Sequence, residues 1–82
     1  MNQESTMQLV ERLVREFFED YTGPITAETS AADIEDWDSL AHVQLLVLVE
    51  QETGTRFSTA EITGLKNLGA LVELIEKYSA SS

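Results

Sequence analysis

Ser39 is the residue whose surroundings first suggest chemistry. It lies in the segment EDWDSLAH, residues 35–42, with the carboxylates of Asp36 and Asp38 before it and the single histidine, His42, three positions after it. A serine, a histidine and a carboxylate form a hydrolytic site only when they are arranged as nucleophile, base and orienting group. The sequence has no Gly-x-Ser-x-Gly turn and no evident oxyanion loop, so we do not expect catalysis by the chain itself.

Structural and metal-binding roles compete with chemistry in this segment. Asp38 and Ser39 both have side chains that accept hydrogen bonds from the free N–H groups of a first helical turn, so either can be a helix N-cap. His42 has no cysteine or second histidine as a co-ligand, and an EF-hand loop starting at Asp36 would need a glutamate where Val47 stands. We therefore expect no metal site and interpret His42 as a surface histidine.

Ser39 opens a predicted second helix. The run LLVLV, residues 45–49, could form a buried strand, but the residues on either side contain no turn former. We therefore predict one helix from about Ser39 to Thr53 that ends at Gly54. Its apolar side chains are distributed nearly all round, so several sides must be covered. One stripe of this helix mixes apolar and polar groups at helical spacing: Leu40, Gln44, Val47 and Gln51.

This helix-two stripe allows two interpretations. We interpret it as a face left open for a partner, although an ordinary core face with two tolerated glutamines fits the same pattern.

Other helices are predicted on both sides of this one. Apolar residues at spacings of three and four predict a first helix over about residues 5–21 and a last helix capped by Asn67. A Ser-x-x-Glu box at Ser58 predicts a short third helix that stops at Gly64. The apolar stripes of the long helices must meet in one core, which we expect to include Val10, Leu13, Val14, Phe17, Leu45, Val49, Leu71, Val72 and Ile75.

A long acidic loop, residues 23–38, separates the first two predicted helices. It contains five carboxylates and no basic side chain. A loop of this length in so small a domain is usually functional or mobile. Its large apolar side chains are expected to hold it on the core: Ile25, Ile34 and Trp37.

Composition limits the possible classes of function. The 82 residues support one domain, residues 1–82, with an ordered core over about 5–78 and a frayed tail over 79–82. A net charge of −10 opposes binding to nucleic acid and anionic membranes and favours basic protein surfaces. The absence of cysteine excludes disulfides, and no apolar run reaches the ~20 residues of a membrane span. Without a secretory signal pattern, we expect a cytoplasmic monomer.

The segment DWDSLAHVQLLVLVEQETGTRFS closely resembles the signature of the acyl carrier proteins. In that family Asp-Ser-Leu opens the second helix, a hydrophobic residue follows three positions after the leucine, and an acidic residue closes the helix. The order of long first helix, acidic loop, short third helix and final amphipathic helix also matches, over nearly the whole chain. The resemblance implies an all-α fold, a four-helix bundle of acyl-carrier type.

The resemblance also implies a role for Ser39. A separate phosphopantetheinyl transferase would attach phosphopantetheine from coenzyme A to this serine, and the thiol of the arm would carry acyl groups as thioesters. The chain would be a carrier without catalytic activity, and its other partners would be acyl-loading and acyl-processing enzymes with basic docking surfaces. The expected partner surface joins the helix-two stripe to nearby carboxylates: Asp36, Asp38, Leu40, Gln44, Val47, Glu50 and Gln51.

Departures from two common carrier types suggest a specialised pathway. Fatty-acid-synthase carriers usually have more carboxylates on the second helix, where this chain has Ala41, Gln44 and Gln51. Peptidyl carriers commonly have a Gly-Gly-x-Ser run, and residues 35–39 contain no glycine. The Trp-Asp-Ser-Leu form resembles discrete carriers of specialised polyketide, lipid or saccharide-modifying pathways. The alternative function is an acidic helical protein-interaction domain that bears no prosthetic group.

Dissolved salt is expected to stabilise the fold. Repulsion among the 15 acidic side chains opposes compaction, and dissolved ions screen it. The melting temperature, followed by circular dichroism, should therefore rise from low to moderate sodium chloride. A flat or falling curve would mean that specific ion pairs outweigh the general repulsion.

Overall fold

The computed structural model describes residues 3–80, with side chains described for residues 4–78. Within these residues all regular structure is helical, and no helix is long and apolar enough to cross a membrane. A short 3₁₀ turn, Ala31–Asp33, interrupts the acidic loop. The all-α fold with a long first loop and a short third helix is confirmed. The helices are α1 (Gln3–Phe17), α2 (Ser39–Thr53), α3 (Thr59–Thr63) and α4 (Leu68–Ala80).

Local capping groups begin and end α2 at the predicted residues. Asp38 is the N-cap, and its Oδ1 accepts a hydrogen bond from the Ala41 N–H at 2.8 Å. At the other end Gly54 adopts a left-handed conformation with φ of 69°, which glycine reaches without steric cost. The Gly54 N–H donates to the Glu50 carbonyl at 2.8 Å and satisfies one of the last carbonyls of the helix.

The two later helices also begin at predicted caps. The Ser58 Oγ accepts from the Glu61 N–H at 3.1 Å, and a Glu61 carboxylate oxygen accepts from the Ser58 N–H at 2.9 Å. The Asn67 Oδ1 accepts from the Ala70 N–H at 2.9 Å. The tail predicted over residues 79–82 lies partly inside α4, which continues to Ala80; residues 81 and 82 lie outside the described residues.

The first helix ends earlier than its apolar pattern indicated. It stops at Phe17, and the chain turns over residues 18–20. The Arg15 guanidinium donates to the Tyr21 carbonyl at 3.2 Å, which ties this turn back to the helix. The pattern continued to residue 21 because Phe18 is buried and Tyr21 is half-buried against the core from the turn. The apolar spacing over residues 18–21 therefore reflects burial of these side chains and not a helical backbone.

The predicted core is confirmed except at Phe17. Phe17 is half-buried, and its ring packs edge-on against Phe18 with centroids 4.9 Å apart. Phe18 enters the core instead, 5.5 Å from the ring centroid of Trp37, because the chain turns after residue 17. The remaining predicted core residues are buried: Val10, Leu13, Val14, Leu45, Val49, Leu71, Val72 and Ile75.

The acidic loop is attached to the core at its predicted anchors and also to the start of α4. Ile25, Ile34 and Trp37 are buried, as predicted. The first N–H groups of α4 have no partner inside the helix, and the loop supplies two. The Leu68 N–H donates to the Thr29 carbonyl at 2.9 Å, and the Gly69 N–H donates to the Ala27 carbonyl at 2.7 Å. The loop therefore completes the first turn of α4.

The substitution Leu45→Ala tests the orientation of α2. Leu45 is fully buried, so its truncation should lower the free energy of unfolding by about 2 to 5 kcal/mol. Leu40→Ala is the matched control on the same helix, because Leu40 is 66% exposed and its loss should cost about 0.5 kcal/mol or less. Chemical denaturation measures both values, and a cost below about 0.5 kcal/mol for Leu45→Ala would show that the assigned buried face is wrong.

Candidate functional site

Ser39 is the first residue of α2, and its side chain is exposed. Asp38 occupies the N-cap position, so the cap does not require the serine hydroxyl. Among the described residues, no hydrogen bond is made by Ser39 Oγ. Of the two cap candidates in the sequence, Asp38 is therefore the cap, and the Ser39 hydroxyl is accessible to a reagent from solution.

His42 is not available as a base for Ser39. The Trp37 indole N–H donates to His42 Nδ1 at 3.0 Å, and His42 Nε2 lies 2.7 Å from the Ile62 carbonyl oxygen. An indole nitrogen can only donate, so Nδ1 is the acceptor and Nε2 carries the proton that it donates to Ile62. The interpretation of His42 as a surface histidine is wrong, because the residue is half-buried and joins the loop to α3.

An open groove with a volume of 570 Å³ adjoins Ser39. Its walls are the start of α2, the end of the acidic loop, and the segment from the end of α3 into α4. A volume in this range suits a small molecule or a flexible chain. We call it the Ser39 groove; its lining is mostly apolar and consists of Ala31, Trp37, Asp38, Ser39, His42, Val43, Leu46, Thr63, Leu65, Lys66, Asn67, Leu68 and Leu71.

The helix-two stripe lies on the surface. Leu40 is 66% and Val47 is 42% exposed, and Gln44 and Gln51 are exposed as well. The core-face interpretation of this stripe is therefore wrong. Val43, which was not predicted to belong to this surface, is 48% exposed. Its position three residues after Leu40 and four before Val47 is the signal that could have revealed it.

The carboxylates expected beside the stripe have different environments. Asp36 is exposed and, among the described residues, its side chain makes no hydrogen bond or ion pair. Asp38 is exposed but its Oδ1 caps α2. Glu50 is half-buried, and its Oε2 accepts from the Phe57 N–H at 2.8 Å, so this carboxylate fastens the connection between α2 and α3. Within the described residues, no group of three or more potential ligand side chains has a metal-binding arrangement.

A second set of bonds holds α3 on the side of α4. The Tyr78 hydroxyl donates to Glu61 Oε1 at 2.6 Å, and Lys77 Nζ lies 3.6 Å from Glu61 Oε2. The hydrogen bond from Tyr78 lowers the pKa of the Glu61 carboxyl below its ordinary value, and the Ser58 N–H adds to this shift. The same bond raises the pKa of the Tyr78 phenol. These groups link α3 to α4, and none of them lines the Ser39 groove.

Known proteins share the sequence features of this site. A family model described as a phosphopantetheine attachment site matches residues 8–75, which include Ser39 and the whole of α2 and α3. Meromycolate extension acyl carrier proteins of Mycobacterium leprae and Mycobacterium tuberculosis are 34% identical to the chain over 68 residues. This alignment covers 78% of the chain and 59% of each relative, so the chain spans about three fifths of the length of these curated relatives.

The fold is shared as well. The structure of the holo acyl carrier protein from Geobacter metallireducens, determined in solution by NMR, is similar with a TM-score of 0.83 and 38% sequence identity. The similarity covers 93% of this chain and 87% of that one. Because the family model matches most of the chain and the helical architecture agrees over nearly all of it, the chain belongs to the acyl carrier protein family, whose members contain a phosphopantetheine attachment site.

Proposed function

We propose that the chain carries acyl intermediates as thioesters on a phosphopantetheine arm attached to Ser39. The observation that carries this proposal is the state of the Ser39 hydroxyl, which is exposed and unbonded at the start of a helix already capped by Asp38. The family match supports the prosthetic group. The adjoining groove supports the carrier role because its mostly apolar lining can accommodate an acyl chain.

The residues around Ser39 fit a phosphodiester-linked group. A helix N-terminus favours phosphate through its free N–H groups, but the Asp38 carboxylate already accepts from the Ala41 N–H. The negative charges of Asp36 and Asp38 also repel a phosphate at this end. These groups keep the phosphate in solvent, so the arm stays free to move, and its thiol supplies the thioester chemistry.

Attachment of the arm requires another protein. The Ser39 oxygen must attack the phosphorus atom of coenzyme A that bears the pantetheine arm, and the bond from this phosphorus to the adenosine bisphosphate leaving group must break. The serine proton must pass to a base, and His42 cannot accept it while its Nδ1 is bonded to Trp37. A phosphopantetheinyl transferase therefore supplies the base, and the chain is a carrier without catalytic activity of its own.

The exposed surface beside Ser39 suits basic enzyme partners. Leu40, Val43 and Val47 offer apolar contacts, while Asp36 and Asp38 add negative charge at the same end of α2. Charge at the rim of an interface mainly raises the association rate, and buried apolar anchors slow dissociation. The surface of a monomeric carrier would thus select transferases and acyl-processing enzymes with basic docking faces.

A specialised lipid or polyketide pathway agrees best with these features. The helix-two stripe has glutamines where carriers of fatty acid synthases usually have carboxylates. The mycobacterial relatives are named for meromycolate extension, which supports a lipid pathway outside housekeeping synthesis. The alternative, an acidic interaction domain without a prosthetic group, is favoured only by the exposed apolar residues of α2.

Modification of Ser39 distinguishes the two functions. Incubation with coenzyme A and a broad-specificity phosphopantetheinyl transferase should add one arm, detected by mass spectrometry, and Ser39→Ala should stay folded and unmodified. Ser58→Ala is the matched control, because the Ser58 hydroxyl is engaged with the Glu61 N–H and this variant should still be modified. Attachment at Ser30 or Ser58, or none with several transferases, would contradict the carrier function.

The substitution Val47→Asp tests the docking surface. It adds charge and removes an apolar contact, so kcat/KM for modification by the transferase should fall about tenfold, as for loss of an interface anchor. Gln51→Glu adds the same charge to the same stripe without removing an apolar group, and its effect should be about twofold or less. Circular dichroism must show both variants folded. Equal losses in the two variants would mean that charge, and not apolar contact, determines docking.

A further inference from the structure

His42 connects three segments that surround the Ser39 groove. It lies in the first turn of α2, it accepts from Trp37 at the end of the acidic loop, and it donates to Ile62 in α3. The Trp37 and His42 rings are inclined by 26°, with their centroids 5.8 Å apart. Trp37 is buried, so the indole is a fixed partner and not a mobile surface group.

The bond from Trp37 determines the chemical state of the imidazole. The indole N–H requires a lone pair on Nδ1, which leaves the proton of the neutral ring on Nε2. Only this tautomer can donate to the Ile62 carbonyl. Trp37 therefore fixes the tautomer in which His42 is a donor toward α3.

The third helix needs such a connection because it is short. A five-residue helix is not stable by itself and depends on tertiary contacts. On the side of α4 it is held by the bonds of Glu61 to Tyr78 and Lys77. On the side of α2 it is held by the hydrogen bond from His42 to the Ile62 carbonyl, and His42 and the neighbouring Thr63 both line the groove.

We infer that His42 is a positioning residue that holds α3 against the start of α2 and thereby sets the width of the Ser39 groove. The consequence for cargo rests on the proposed function: the groove shelters a bound acyl chain only while α3 is held in place. Loss of the Nε2 donor should release α3 and expose the thioester of a bound acyl chain to water. Loss of the Nδ1 acceptor alone should disturb Trp37 and leave α3 attached.

Two conservative variants separate the two nitrogens. Asn places its amide oxygen near the position of Nδ1 and has no group at Nε2, whereas Gln reaches the Nε2 position with its amide N–H and leaves Nδ1 empty. His42→Asn should therefore keep the bond from Trp37 and lose the bond to Ile62. His42→Gln should show the reverse pattern. The sequence has one tryptophan and one histidine, so each NMR signal has a single source.

Amide hydrogen exchange in the apo protein measures the attachment of α3. The N–H groups of Ile62 and Gly64 should exchange about fivefold faster in His42→Asn than in the wild type, the factor given by loss of one typical hydrogen bond. In His42→Gln they should exchange at the wild-type rate, while the Trp37 indole resonance shifts. Equal exchange of these amides in the two variants, fast or slow, would overturn the inference.

A second measurement needs no variant. The nitrogen chemical shifts of the wild-type imidazole, recorded at a pH where the ring is neutral, should show the proton on Nε2. A proton on Nδ1 would contradict the inference even if both variants failed to fold.

Acyl-loaded protein tests the consequence for cargo. Hydrolysis of a medium-chain acyl thioester on the arm should be about fivefold faster in His42→Asn than in His42→Gln, following the opening of α3. Equal hydrolysis rates would overturn the role of His42 in the groove. If no transferase attaches the arm, the proposed carrier function fails, and the exchange and nitrogen-shift measurements still decide whether His42 positions α3.

Discussion

The second helix imposes the main constraint on this structure, because it is apolar on nearly every side and the chain has one small core to cover it. Leu45, Leu46 and Val49 are fully buried within that core. The start of the helix is covered differently, by Trp37 from the loop and by the short α3. Five residues of α3 cannot close this side completely, so a groove remains beside Ser39. For the same reason, Leu40, Val43 and Val47 of this helix remain exposed at the surface.

Several of the many carboxylates accept hydrogen bonds within the fold. Asp38 caps α2, Glu50 accepts from the Phe57 N–H, and Glu61 accepts from both Ser58 and Tyr78. Asp33 accepts from the Ser30 N–H in the acidic loop at 2.9 Å. Each carboxylate satisfies a backbone donor that would otherwise need water, and a hydrogen bond to a charged acceptor is stronger than a neutral one. Groups that repel one another at long range therefore stabilise the ends of helices and loops at short range.

A carrier needs a reactive group that the protein presents and does not activate. Asp38 makes this possible by taking the cap position, which leaves the Ser39 hydroxyl without an internal partner. His42 does not activate this hydroxyl. Its two ring nitrogens are bonded to Trp37 and Ile62, so the imidazole cannot deprotonate the serine. In the proposed function, attachment therefore depends on a separate transferase, and the neighbouring groove and apolar surface are available to cargo and partners.

The sequence by itself determined the helix boundaries that depend on local groups, and with them the candidate site. Asp38, Gly54, Ser58 and Asn67 act on N–H and C=O groups within a few residues, so their types and spacing were sufficient to place α2, α3 and α4. The exposed start of α2 followed from the same signals, and Ser39 was found because it stands there. The stripe of Leu40 and Val47 was also visible from helical spacing alone.

Only the tertiary structure decided the contacts between segments distant in sequence. The bond from His42 to Ile62 joins residues twenty positions apart, and no local pattern distinguishes such a histidine from one on the surface. Glu50 was expected only as a carboxylate of the partner surface, but the chain turns after Gly54, and the Phe57 N–H donates to the Glu50 carboxylate. Phe18 lies in the core where Phe17 was expected, and this too depends on a distant contact, because the end of α1 depends on where the loop packs. Local interactions fix the elements, whereas the role of a side chain between two elements depends on which backbone groups the fold brings to it.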